Sequence, residues 1–343
     1  MNKQLLGVID ATTVHKDLHK LALHRSVAAI PFGGRYRLID FILSNMVNSG
    51  IQSVAIFPKF QYRSLMDHLG SGKNWDLNRK RDGLFFFPSP NLDQPHHPGI
   101  GSLDHFADNI GFFDRSTQEY ALISNSYTVF NMDFQPLLDW HLKSGCDITE
   151  VQKDGASLGV YLIKKSLLMD LITTRNETGY STMRDVVTDI DSQFKLCYYQ
   201  YDGYALMVDT IEKYFTASMD LLKPEVWKQL FPKERPILTK VKDEPPTRYE
   251  TEATVRNAMV ANGGLIEGTV ENSIIARGVK IGRNTVIRNC IIMQKTQIKE
   301  NCILESVIVD KDVRIEAGTV ITAPVDSPAV IRKGTVQGVR TGS

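Results

Sequence analysis

Residues 30–51 decide the fold, and their sequence is IPFGGRYRLIDFILSNMVNSGI. Apolar side chains recur in this stretch at helical spacing and predict an amphipathic helix with one buried face. They are Ile39, Ile42, Leu43, Met46 and Val47. Gly50 follows at the position where a helix takes its C-terminal cap. The short apolar run 53–57 then ends at Pro58, as a buried parallel strand does. A turn, a helix and a strand in this order predict half of a β-α-β unit.

Length and charge limit the class of protein. The chain has 343 residues, enough for two domains at roughly 150 residues each. Its 40 Lys and Arg residues against 39 Asp and Glu give a formal net charge of +1, so the chain as a whole has no strong attraction to nucleic acid or to an acidic membrane. No apolar run is long enough for a signal peptide or a membrane span. We therefore expect a cytoplasmic protein with neither nucleic acid nor membrane as a partner.

The cysteines are few and scattered. The chain has 4 of them, and none has a neighbour at the spacing of a metal-binding pair. They are Cys146, Cys197, Cys290 and Cys302. This distribution argues against a zinc site and against the disulfide framework of a secreted protein. It favours reduced thiols in the cytoplasm.

The stretch 30–51 also resembles a known protein family, which its periodicity alone could not show. The segment Pro31–Phe41, followed by Leu-Ser-Asn at 43–45 and Asn-Ser-Gly-Ile at 48–51, resembles the glucose-1-phosphate adenylyltransferase family. Members of that family make ADP-glucose for glycogen or starch. The resemblance extends from Leu5 to Ile321 and implies a Rossmann-like nucleotidyltransferase domain whose first strand lies at 4–9.

The turn after that strand lacks the residues that hold phosphate. A phosphate cradle needs glycines, whose backbone amides close on the oxygens, and a basic side chain. Active family members carry Gly-Gly-x-Gly-x-Arg-Leu here, whereas residues 10–21 read DATTVHKDLHKL, without glycine and with Asp10 in front. In the same alignment the lysine of the family's Ala-Lys-Pro motif falls on Val27. We expect Asp10 to repel a nucleoside triphosphate.

The two carboxylates that hold magnesium in the family are replaced. Ungapped alignment of the segment 120–134 places Tyr127 at the catalytic aspartate, and the segment 203–211 places Met207 at the second one. Magnesium prefers carboxylate oxygens and offsets the charge that develops during nucleotidyl transfer. A protonated phenol and a thioether are poor substitutes, and Asp209 is displaced by two residues along the strand. The resemblance therefore implies no metal site and no cofactor in this chain.

Four residues still match the ligand-binding motifs of the family. Gly101, Asp104 and Asn109 occupy the place of the Gly-Thr-Ala-Asp-Ala-Val motif, which helps to hold the nucleotide. Lys153 is the one residue that could stand in for the Glu-Lys-Pro sugar-phosphate motif, because most of that region is absent. We expect any residual ligand binding to use these four residues.

Beyond a proline-rich stretch the sequence repeats. Apolar residues return every seventeen positions, with Gly and Asn at the corners. The sets are Ile281, Ile298 and Ile315; Val286, Ile303 and Val320; Ile287, Leu304 and Ile321; and Ile291 and Ile308. This interval is typical of a left-handed parallel β-helix, whose coils take about 18 residues. We predict a nucleotidyltransferase-like domain over 1–222, a linker over 223–252 and a left-handed β-helix over 253–343.

These observations predict an α/β fold that keeps the scaffold of the family and loses its chemistry. The resemblance implies a catalytically degenerate, regulatory subunit of ADP-glucose pyrophosphorylase in glycogen biosynthesis. Its partner would be the homologous active subunit, in a hetero-oligomer taken to be a tetramer, and the Mg²⁺ would belong to that partner. Two alternatives stay open. One is an active adenylyltransferase that uses Lys153, Asp104 and Asp209, and the other is a free-standing sensor of sugar phosphates or nucleotides.

Overall fold

The N-terminal part of the chain is a sheet covered by helices on both faces. The structure, a computed structural model, describes residues 4–89 and 99–338. The strands of this part are β1 (Leu5–Ala11), β2 (Pro31–Phe32), β3 (Tyr36–Arg37), β4 (Ser53–Pro58), β5 (Gly83–Phe86), β6 (Tyr120–Asn125), β7 (Thr128–Phe130), β8 (Ile148–Lys153), β9 (Ala156–Lys164), β10 (Leu196–Gln200) and β11 (Ala205–Met207). The α-helices are α1 (His19–Ala22), α2 (Leu38–Asn48), α3 (Arg63–Leu69), α4 (Leu103–Ala107), α5 (Ile110–Arg115), α6 (Gln135–Ser144), α7 (Lys165–Thr178), α8 (Met183–Thr188), α9 (Ile211–Asp220) and α10 (Pro224–Leu230). Within the described ranges, no helix has the length and apolar character needed to cross a membrane.

The main sheet has seven strands in the order β10-β8-β9-β6-β1-β4-β5. Strand β1 pairs in parallel with both neighbours, so that Gly7 faces Val54 on β4 and Leu122 on β6. Strand β9 runs antiparallel to β6 and β8. Apolar side chains of α2, α3 and α6 cover one face, and those of α4, α5, α7 and α8 cover the other. This arrangement confirms the predicted Rossmann-like domain.

Helix α2 is the predicted helix, but it is buried more completely than its pattern indicates. Every residue from 38 to 46 is buried, including the polar Asp40, Ser44 and Asn45. Each of these side chains makes at least one hydrogen bond: Nδ2 of Asn45, for example, donates to the Phe130 carbonyl at 3.1 Å, whereas its Oδ1 is buried without a partner. The predicted apolar face is buried, and the polar side is buried as well because α3, β7 and the chain beyond α10 cover it. Gly50 adopts φ 79°, as predicted for the cap.

The C-terminal part is a parallel β-helix of short strands. Its strands are β12 (Arg248–Tyr249), β13 (Thr254–Val260), β14 (Leu265–Ile266), β15 (Thr269–Ile275), β16 (Lys280–Ile281), β17 (Val286–Arg288), β18 (Ile291–Ile292), β19 (Gln297–Ile298), β20 (Ile303–Glu305), β21 (Val307–Val309), β22 (Arg314–Ile315), β23 (Val320–Thr322), β24 (Ala329–Ile331) and β25 (Val336–Gln337). They form three stacks: β12-β14-β16-β19-β22-β25, then β13-β15-β17-β20-β23, then β15-β18-β21-β24. The long strand β15 turns a corner and belongs to two of them.

The register of these stacks confirms the predicted repeat. Ile281 pairs with Ile298 and Ile298 with Ile315, at the predicted interval of seventeen. The other predicted sets are also in register. Asparagines at the corners take positive φ, including Asn272 and Asn289, as expected of the residue that tolerates this region best after glycine.

The segment predicted as the linker carries structure of its own. Helix α10 lies in it, and β12 pairs in parallel with β14 as the first rung of one stack. The first rung therefore begins before residue 253. The domain boundaries themselves stay a prediction.

The two parts of the chain share one apolar cluster. Phe32 and Tyr214 of the first part pack in it with Ile274 and Ile308 of the β-helix. The Tyr214 hydroxyl donates to the Pro31 carbonyl at 2.7 Å, so this buried phenol is satisfied. Phe32, from the stretch 30–51, thus packs in the same apolar cluster as residues of the β-helix.

A buried ion pair crosses the same boundary. Nη2 of Arg25 donates to both carboxylate oxygens of Asp310, at 2.8 and 2.9 Å, and each side chain is at most 3% exposed. Burial, followed by the charges of Arg37 and Arg25, lowers the pKa of Lys311 to about 7. Asp310 therefore provides negative charge among three cationic groups.

The expectation that all four cysteines are reduced thiols is wrong. Cys146 and Cys197 form a disulfide with a Cα–Cα distance of 6.1 Å, although 51 residues separate them. The parallel pairing of β8 with β10 brings them together, and the sequence spacing carries no trace of that pairing. Cys290 and Cys302 are free and buried in the β-helix, where burial raises the pKa of Cys290 to about 12.

We predict that Asp310→Ala destabilises the protein by about 3–5 kcal/mol, because it leaves Arg25 buried without its partner. The matched control is Glu271→Ala, which breaks the exposed pair with Arg288 at 3.0 Å and should cost less than about 1 kcal/mol. Chemical denaturation of both variants measures the difference. Equal losses of unfolding free energy would show that the buried pair contributes no more than a surface pair.

Candidate functional site

A cleft opens at the carboxyl ends of β1 and β6, the edge at which open α/β sheets bind ligands. Its volume is about 660 Å³. It is lined by the turn 13–15, residues 99–100, Tyr127, Gly155 and Asp209, and by residues of β8, β9, β10, α8 and β11. A second cavity of about 760 Å³ lies near the amino ends of the strands, between residues 52–53, 81–87 and 112–118. That cavity contains none of the positions aligned with the family's catalytic residues.

Asp10 lies buried behind the cleft, close to Tyr127. Its side chain is fully buried at the end of β1. One carboxylate oxygen accepts hydrogen bonds from the amide and the hydroxyl of Thr12, both at 2.7 Å. The other accepts from the amides of Gly101 at 2.6 Å and Ser102 at 3.3 Å. The amides of the aligned nucleotide motif are thus already used by an anion of the chain itself.

Tyr127, which aligns with the family's catalytic aspartate, places a buried ring beside the cleft. It is 3% exposed, and its ring meets that of His15 edge to face with centroids 4.6 Å apart. Burial, and then the charge of Asp10, raises the pKa of the phenol, so the hydroxyl stays protonated. Asn125 holds the backbone here, because its side-chain oxygen accepts from the amides of Tyr127 and Thr128 at 2.8 and 2.9 Å.

The structure brings Met207 beside Tyr127, as the alignment implies. Strands β11 and β7 are antiparallel, with Met207 opposite Thr128, and the Val208 amide donates to the Tyr127 carbonyl at 3.0 Å. Both side chains line the cleft. A neutral phenol and a thioether do not fit Mg²⁺, which requires oxygen ligands of strong negative character.

Asp209 does not replace the missing carboxylates. It lines the cleft, but its carboxylate pairs with Lys213 at 2.8 Å, one helical turn away. In the ranges 4–89 and 99–338, no three His, Cys, Asp or Glu side chains are grouped so as to hold a metal ion.

Val27 is part of the apolar core. It lies in the 3₁₀ turn Val27–Ala29, is 4% exposed and packs in the cluster that joins the two parts of the chain. No positive charge replaces the aligned lysine at this position.

The four residues expected to retain ligand binding have structural partners. The Gly101 amide donates to Asp10, and Asp104 pairs with Arg175 at 2.8 Å. The Asn109 side chain donates to the His105 carbonyl at 3.1 Å, and Nζ of Lys153 donates to the Gly203 carbonyl at 2.8 Å. The described residues that line the cleft include none of the four. Their role in binding stays a prediction.

Sequence reasoning missed the polar wall of the cleft. The Glu150 carboxylate accepts from the Gln152 amide at 2.8 Å and from the Ser157 hydroxyl at 2.5 Å, and Tyr161 lies opposite Glu150 in the sheet. A period of two could have indicated these residues: 150 and 152 share one face of β8, and 157 and 161 share one face of β9. The sequence did not show that β8 pairs with β9, and this pairing brings the four residues to one side of the sheet.

Comparison with known proteins agrees with this fold. The nucleotidyl transferase model matches residues 16–156, and the model of the GlmU-like C-terminal hexapeptide matches residues 245–339. The second match agrees with the predicted left-handed β-helix. The chain is 55% identical over 337 residues to the glycogen biosynthesis protein GlgD of Bacillus subtilis (strain 168), with 98% of each chain covered. It is 56% identical over 338 residues to the GlgD of Geobacillus stearothermophilus, again with 98% of each covered.

The chain belongs to the GlgD family of glycogen biosynthesis proteins. A more distant relative is the glucose-1-phosphate adenylyltransferase of Geobacillus stearothermophilus, 27% identical over 325 residues with 84% of each chain covered. The relationship to the adenylyltransferases predicted from residues 31–51 is therefore confirmed. The altered turn that begins at Asp10 starts before the matched nucleotidyl transferase region.

We predict that Tyr127→Asp combined with Met207→Asp does not create an active site. The two carboxylates could recruit magnesium, but Asp10 still holds the Gly101 and Ser102 amides, and the turn still lacks glycine. Release of pyrophosphate from ATP and glucose 1-phosphate should stay below about 1% of an active homologue, since several kcal/mol of transition-state stabilisation are missing. Recovery of most of that rate by the two substitutions alone would show that the phosphates are held elsewhere.

Proposed function

We propose that this chain acts in glycogen biosynthesis as a non-catalytic, regulatory subunit that pairs with a homologous glucose-1-phosphate adenylyltransferase. The observation that carries the proposal is the contrast between the cleft and the scaffold. A phenol and a thioether stand at both metal positions, while the nucleotidyltransferase-like sheet and the β-helix are intact. In this assembly the Mg²⁺ and the transfer of the adenylyl group belong to the partner.

The β-helix offers a surface suited to pairing. Ile303 and Val320 face each other on neighbouring rungs and point outward, with 42% and 62% of their surface exposed. Val286 continues the same ladder on the rung before and is partly buried. We call these three residues the apolar ladder. Exposed aliphatic side chains aligned on neighbouring rungs suit contact with the β-helix of a partner.

The ladder residues can be changed without disturbing the interior. Their neighbours in sequence, Ile287 and Leu304, are buried, so side chains alternate inward and outward along these strands. A substitution of Ile303 or Val320 therefore alters the outer surface and leaves the core of the β-helix in place.

We predict that co-expression with an active glucose-1-phosphate adenylyltransferase gives one mixed oligomer, with higher or differently regulated ADP-glucose synthesis. Size-exclusion chromatography followed by an ADP-glucose assay, with and without this chain, measures both properties. The double variant Ile303→Lys and Val320→Lys should elute separately from the active subunit, because lysines on the ladder leave charges facing an apolar surface.

The matched control is Ile190→Lys, at a fully exposed apolar position after α8. It should co-elute as the wild type does. Separate elution of the wild-type chains with unchanged kinetics would contradict the partner-subunit proposal and favour a free-standing sensor. Synthesis of ADP-glucose by the isolated chain would favour the active-enzyme alternative.

A further inference from the structure

The cleft keeps its volume although its phosphate-binding parts are gone. At about 660 Å³ it lies within the usual range of small-molecule sites. Tyr127 and Met207, at two positions aligned with the family's catalytic residues, line this space without filling it. A cleft of this size at the carboxyl edge of the sheet can still hold a ligand.

The charges around the cleft disfavour phosphate. Glu150 lines the cleft and is 7% exposed, and Asp10 is fully buried behind it. Neither forms an ion pair with any residue in the described ranges. The fields of Asp10 and Asp209 reach the Tyr127 hydroxyl, and both oppose its ionisation. Among the described residues that line the cleft, Arg184 is the one lysine or arginine. The Glu150 carboxylate at the surface of the cleft and the Asp10 carboxylate behind it therefore disfavour a second anion.

The same wall suits hydroxyl groups. Gln152, Ser157 and the Tyr161 hydroxyl contact the Glu150 carboxylate, which has about four acceptor positions and can accept a further hydrogen bond. Burial raises the pKa of the Tyr127 and Tyr161 phenols, so both stay protonated at neutral pH. Tyr198 adds a ring that is 49% exposed at the mouth of the cleft. Aromatic faces beside carboxylate and hydroxyl groups match a molecule with apolar C–H faces and many hydroxyls.

We propose that the cleft binds a neutral saccharide, a glucose unit or a short glucan, and rejects the phosphorylated sugar. This inference goes beyond pairing with an adenylyltransferase, and it concerns the isolated chain. In this proposal the Glu150 carboxylate accepts hydrogen bonds from the sugar hydroxyls, and the Tyr198 ring packs against the face of the sugar ring.

Isothermal titration calorimetry of the full chain, without a partner, tests the proposal with maltose, glucose and glucose 1-phosphate at one ionic strength. We expect maltose to bind with a Kd on the order of 1 mM, and glucose 1-phosphate to bind at least tenfold more weakly than glucose. Tyr198→Ala should weaken maltose binding about tenfold. Tyr249→Ala, at a tyrosine that is 51% exposed on the β-helix, should leave it unchanged.

The variant Glu150→Gln removes the negative charge of this side chain and keeps its shape. It should weaken maltose binding and reduce the preference for glucose over glucose 1-phosphate, because it removes one of the two unpaired carboxylates. Binding of glucose 1-phosphate as tight as that of glucose, an unchanged Kd in Tyr198→Ala, or no binding of any saccharide by the folded chain would overturn the proposal. None of these results depends on pairing, so the proposed subunit function is tested separately.

Discussion

The hydrogen bonds of the buried Asp10 carboxylate fix two neighbouring segments at one edge of the cleft. A carboxylate out of water needs several donors, and Asp10 takes two from Thr12 and two from the backbone at 101–102. These bonds join the turn after β1 to the start of α4. Both segments would have to hold a nucleotide in an active enzyme, and here they hold each other. Because the anion belongs to the chain, an incoming triphosphate would have to displace a bonded carboxylate and overcome its charge.

The boundary between the sheet and the β-helix depends on the shared apolar cluster around Phe32, Tyr214 and Ile274 and on the pair of Arg25 with Asp310. The cleft adjoins this boundary, because Tyr127 lines the cleft and belongs to the same cluster, as does Val27. The apolar side chains at these two aligned positions therefore add to the contact between the two parts of the chain. Under the proposed subunit function, the same residues leave these two positions without charged groups and favour an intact scaffold.

The elements that local periodicity controls were predictable from the sequence. Helix α2 follows from its 3.6-residue pattern, and the β-helix follows from the interval of seventeen, since each rung repeats the contacts of the previous one. Ungapped alignment predicted Tyr127 and Met207 at the metal positions of the family, and the structure places the two residues side by side. That they replace catalytic groups stays a prediction. Features that depend on distant pairing were not predictable. The polar side of α2 is covered by residues almost 200 positions away, at Leu238, and Cys146 meets Cys197 through the pairing of β8 with β10. The position of Glu150 opposite Tyr161 likewise depends on a strand register that contains an irregularity.

The central claim is that the chemistry of the assembly occurs only in the partner. The most direct test is a mixed oligomer of this chain with an adenylyltransferase whose metal-binding aspartate has been changed to alanine, assayed for ADP-glucose after the complex has been shown to form. The account predicts no synthesis above the background of the inactivated partner alone, because neither type of subunit can then hold magnesium at the transferring phosphate. Sustained synthesis by that complex would show that the cleft behind Tyr127 is catalytic, and would contradict the account.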